Sequence, residues 1–63
     1  MNLIHEFTTS ESRVALYETE NHPEKFLVLF DWDGTIYKHN YITYRDALER
    51  LRSNISQLEI ETN

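Results

Sequence analysis

The chain has 63 residues, of which 11 are acidic and 6 basic, for a net charge of −5. A chain this short holds one domain at most, buries only about 60% of the surface its unfolded form exposes, and is marginally stable without a brace. It has no cysteine, which excludes a disulfide framework or a cysteine-based zinc site as that brace. The acidic balance argues against nonspecific nucleic-acid binding, which needs Lys and Arg to replace phosphate counterions.

His5, His22 and His39 are widely spaced and form no i, i+4 pair, so no metal site and no cofactor are expected. Oligomerisation is the brace that remains. The charge is uneven: Arg13 stands alone against five acids up to residue 24, whereas residues 25–57 hold the other five bases and four acids. No apolar run nears the roughly 20 residues that span a bilayer, and no apolar segment follows a basic start. A cytoplasmic protein without membrane contact is the expectation.

Along the chain, residues 1–12 read as an arm and a loop. Leu3, Ile4 and Phe7 suit a short edge strand or an arm laid across the core, and TTSES at 8–12 reads as a loop. Residues 13–19 alternate as a strand, with Val14 and Leu16 on one face and Ala15 and Tyr17 on the other. Pro23 breaks the chain before the next strand. That strand is apolar at every position from 26 to 30, the mark of a central strand covered on both sides. Asp31-Trp32-Asp33-Gly34 suits a type I turn with a glycine bulge, leading into a return strand over 35–42. The alternative is a two-residue Asp33-Gly34 type I′ turn, which slips the register by one and changes which Tyr faces the core.

Thr43 can cap a helix over 43–58, with Asp46 three residues on. Tyr44, Leu48, Leu51, Ile55 and Leu58, with Ala47 beside them, make its apolar stripe, and Asp46–Arg50 forms a favourable i, i+4 pair. Residues 59–63 read as a flexible tail. The fold class is therefore α+β: residues 13–42 form a three-stranded antiparallel β-meander, followed by one C-terminal helix packed on the sheet.

One stretch carries a motif with chemical meaning. FLVLFDWDGTI, residues 26–36, resembles the first motif of the haloacid dehalogenase superfamily, a hydrophobic strand followed by Asp-x-Asp-Gly-Thr. The resemblance implies a magnesium-dependent phosphatase on a parallel sheet. Asp31 would be the nucleophile that forms an aspartyl-phosphate, and Asp33 the general acid/base. The family's pattern also needs a later Ser or Thr, a Lys and a second acidic pair. Lys25 and Lys38 both lie next to the motif, and no adjacent acidic pair follows it. The same residues suit a hairpin turn with a β-branched exit, and a hairpin is expected.

Two further patterns concern partners. Phe26, Tyr37, Tyr41 and Tyr44 interleave with Lys38, Arg45, Arg50 and Arg52, and a small sheet followed by a helix resembles in layout the arm-type DNA-binding domains of tyrosine recombinases. Half-buried strand tyrosines and a solvated basic helix face explain the pattern more simply, so nucleic acid is not the expected partner. Glu6, Glu11, Glu18, Glu20 and Glu24 would suit an acidic mimic of nucleic acid, though solubility charge accounts for them too.

The function expected is a small non-catalytic protein-binding module of regulatory, accessory or inhibitor type. It would act through an apolar and aromatic sheet face, either on a protein partner or on a second copy as a homodimer. Phe26, Phe30, Trp32 and Tyr37 are the expected binding residues, with an acidic rim that favours a basic partner surface. The magnesium-dependent phosphatase fragment, with catalytic Asp31 and Asp33, and the acidic mimic are the alternatives.

Overall fold

Four strands and one helix make up the chain in the computed structural model, which describes residues 1–61. The strands are β1 (Asn2–Thr8), β2 (Arg13–Glu18), β3 (Phe26–Trp32) and β4 (Thr35–Tyr41), and the helix is α1 (Tyr44–Glu61). The strands form one antiparallel sheet in the order β1-β2-β3-β4. The α+β meander with a C-terminal helix on it is the architecture expected. The strand count is four rather than three.

The extra strand lies in the residues read as either a short edge strand or an arm, and it is an edge strand. A bulge hides it from a period-two reading, because the β1–β2 register shifts between Leu3 and His5. Leu3 lies opposite Tyr17 and Phe7 opposite Val14, so two apolar residues four apart face opposite sides of the sheet.

The inner strands behave as their composition requires. Phe26, Val28 and Phe30 are buried on one face of β3, while Leu27 and Leu29 are half-buried on the other. The core joins the first set to Val14, Leu16, Ala47, Leu51 and Leu58, with Phe7, Trp32, Tyr41, Leu48 and Ile55 packed around it.

The β3–β4 hairpin is present, but its turn differs from the one preferred on sequence. The register runs without a break from Phe26 opposite Tyr41 to Trp32 opposite Thr35. The turn is thus Asp33-Gly34 alone, with φ of 52° and 77°, which is type I′ rather than a type I turn with a bulge. The mirror-image turn matches the right-handed twist of the strands, and Asp tolerates the left-handed region better than most side chains. Its register puts Tyr37, His39 and Tyr41 on the same face as Phe30, Val28 and Phe26.

Thr43 caps α1, with the Asp46 N–H donating to Thr43 Oγ1 at 3.2 Å. The helix runs past the expected end at residue 58: residues 59–61 of the expected tail are helical, and 62–63 lie outside the described residues. Its buried stripe is Ala47, Leu51, Asn54 and Leu58, flanked by Leu48 and Ile55, so the seam includes a polar residue. The expected Asp46–Arg50 pair does not form. Arg50 Nε donates instead to the Tyr41 hydroxyl at 2.8 Å, and the i, i+4 pair is Arg45–Glu49 at 4.0 Å.

Candidate functional site

The helix covers one face of the sheet and leaves the other open. Cross-strand partners share a face, so the open face holds three rows: Leu3, Tyr17, Leu27 and Asn40; Glu6, Ala15, Leu29 and Lys38; Thr8, Arg13, Asp31 and Ile36. Its apolar part is chiefly aliphatic, with Leu27 and Leu29 half-buried beside Tyr17 and Ile36 57% exposed. Arg13 ties part of it together, donating to Glu6 Oε2 and to the Tyr17 hydroxyl. Those bonds, Tyr17 first and Glu6 second, push its guanidinium above the ordinary arginine value, so it stays charged at any working pH.

The two aspartates of the phosphatase-like motif sit at a hairpin. β3 pairs antiparallel on both sides, and Thr35 opens a strand where the resemblance implies a helix. The parallel sheet implied by that resemblance is not the fold of these residues. Asp31 lies on the open face between Arg13 and Ile36, and Asp33 lies in the turn. Among the described residues, no three His, Asp or Glu side chains are grouped so as to hold a metal ion.

A second surface arises because α1 stands chiefly over β2 and β3 and reaches β4 less. The inner side of β4 is left beside a groove of about 240 Å³ lined by Phe30, Trp32, Tyr37, His39, Arg50, Asn54 and Gln57. One wall is aromatic. Phe30 and Trp32 stack with centroids 5.9 Å apart and planes at 11°, and Phe30 and Tyr37 are 6.1 Å apart at 40°. The other wall is the polar flank of α1, where Arg50, Asn54 and Gln57 fall at successive turns. Asn54 is only 6% exposed, and its carboxamide makes no hydrogen bond to another described residue. Acids stand near both ends: Glu11 and Asp33 border Trp32, and Asp46 and Glu49 border Tyr41 and Arg50.

The groove unites three of the four expected binding residues, Phe30, Trp32 and Tyr37. Phe30 contributes mainly as floor, at 6% exposed, while Tyr37 is 45% exposed. Phe26 lies elsewhere: it is buried in the core, edge-on to Tyr44 at 5.8 Å and under Lys25 Nζ at 5.4 Å. None of the four is on the open face, where aliphatic side chains surround Tyr17. The expected binding residues do not include His39, Asn54 or Gln57, and Arg50 enters only through the aromatic–basic pattern, although a polar residue at 54 between Leu51 and Leu58 is a visible break in the apolar stripe. Among the acids of the first half, Glu6 is paired with Arg13, and Glu18 with Lys25 at 3.7 Å.

No protein-family model matches the chain, and neither a curated protein nor a solved structure matches it. Among the described residues, no helix is long and apolar enough to cross a membrane.

Proposed function

We propose that this chain is a small non-catalytic protein-binding module, regulatory, accessory or inhibitory in role, whose contact surface is the groove between β4 and α1. The observation that carries this reading is the aromatic wall of the groove, Trp32 stacked on the buried Phe30 with Tyr37 beside it, faced by polar side chains from the helix. Binding energy concentrates in aromatic anchors set in a concave, partly desolvated site with a few orienting polar groups. The acids at the two ends form a rim that favours basic groups on the partner.

Peptides selected from a random display library on the wild-type protein test this. The reading expects the selected peptides to lose binding to Trp32→Ser and Tyr37→Ser proteins that still fold by circular dichroism. Selected peptides indifferent to both substitutions would overturn it.

The aliphatic open face favours a second reading, self-association. Its charges balance, Glu6 and Asp31 against Arg13 and Lys38, so a two-fold related copy can meet opposite signs. Sedimentation at rising concentration, with Leu29→Asp as the interrupted variant, separates a dimer through this face from a monomer.

A further inference from the structure

We infer that the groove takes its partner by strand addition: an extended segment pairs with the free edge of β4 and lays alternate side chains into the groove. The inference rests on the groove reading above and names the mode and chemistry of the partner.

The backbone argument begins at the turn. In a type I′ turn the closing pair, here Trp32 and Thr35, makes the turn's own hydrogen bond. Hydrogen-bonded and non-hydrogen-bonded pairs then alternate along an antiparallel ladder. Thr35, Tyr37, His39 and Tyr41 therefore bond toward β3. Ile36, Lys38 and Asn40 aim their N–H and C=O groups away from it, at the free edge.

The two edges of the sheet are not alike. β1 carries a bulge between Leu3 and His5, a device that blunts edge pairing, whereas β4 pairs with β3 in one unbroken register over its full length. Lys38 is the single basic residue of β4, and its side chain lies on the open face, away from the groove. A regular edge beside a pocketed groove is the arrangement in which main-chain bonds supply affinity and alternate side chains supply specificity.

The side chains define the segment. Residues opposite Tyr37 and His39 lie on the groove side beside those two rings, and there the segment needs aliphatic, β-branched residues. The residue opposite Lys38 lies on the open face and must not be basic. The residues at the ends meet Glu11 and Asp33 on one side and Asp46 and Glu49 on the other, and there it needs Lys or Arg. Asn54 offers a carboxamide donor and acceptor inside the groove that no described residue uses.

The test uses one peptide, acetyl-Lys-Thr-Val-Glu-Ile-Thr-Lys-amide, and the full chain. Laid antiparallel, its Glu falls opposite Lys38, and its two Thr opposite Ile36 and Asn40. Two forms are compared by fluorescence anisotropy: one N-methylated at Glu and both Thr, the other at Val and Ile. The inference expects the first to lose at least about tenfold in affinity and the second to bind like the parent, because only the first removes donors that face β4. Amide exchange at Ile36, Lys38 and Asn40 should slow in the complex. Lys38→Pro, which removes an outward N–H at an edge position that tolerates proline, should lose binding where Lys38→Gln keeps it. Equal binding by both methylated forms, with dependence on Trp32 and Tyr37 intact, overturns strand addition and leaves the groove reading standing. No binding by the parent peptide overturns the segment chemistry inferred here.

Discussion

Trp32 and Thr35 face each other across a two-residue turn, and that pairing decides which side chains meet the helix. A one-residue slip would carry Tyr37, His39 and Tyr41 to the opposite face of the sheet. The aromatic wall of the groove would then lose Tyr37 and its polar end would lose His39. The turn residues Asp33 and Gly34 therefore set the lining of the groove although they lie outside it.

The turn gives the first prediction. A Cβ on Gly34 would have nothing within 4 Å, so Gly34→Ala creates no clash and its cost is backbone strain at φ 77°. The loss should be roughly 1–2 kcal/mol in urea unfolding. Asp33→Asn, which suits the type I′ turn, should be neutral or slightly stabilising. A larger loss for Asp33→Asn than for Gly34→Ala would mean the turn is not the one described.

Helix docking gives the second. Leu51 lies in the core at 4% exposed, and Leu48 packs alongside half-buried. Leu51→Ala should cost about 2–5 kcal/mol, most of the stability of a domain this small, and Leu48→Ala distinctly less. Thermal melts of both variants measure the difference. Thr43→Ala should cost about 1 kcal/mol through loss of the cap to Asp46.

Asn54 gives the third. It occupies a core position of α1 but directs a carboxamide at the groove without a partner there. Asn54→Leu should raise the melting temperature, by burying more apolar surface at about 25 cal/mol per Å². The same variant should weaken binding of peptides selected on the wild-type protein. A lower melting temperature would show that the amide supports the fold rather than a ligand.

Magnesium gives the fourth. Asp31 lies on the open face opposite Arg13, and Asp33 lies in the turn. The non-catalytic reading expects titration with magnesium to leave their amide chemical shifts, and those of Gly34 and Thr35, unchanged. Saturable shifts confined to these four residues would revive the catalytic reading.

Local composition by itself determined much of this protein. Five consecutive apolar residues at 26–30 required an inner strand, and Asp-Gly between β-rich runs required a hairpin. Thr43 with Asp46 three residues on required a helix start. These are short-range effects of sterics, burial and capping, and they act within a few residues. The tertiary structure alone decided three other things. The bulge between Leu3 and His5 reversed the facing of Leu3 and Phe7, so β1 carried no simple alternation to read. The choice between two turns compatible with the same four residues rested on strand twist, which belongs to the pair and not to either strand. The position of α1 chiefly over β2 and β3, with less reach to β4, came from packing Ala47, Leu51 and Leu58 into one core with Val14, Leu16 and Val28. That packing left the edge beside Trp32 and Tyr37 open, because one helix is too narrow to cover four strands.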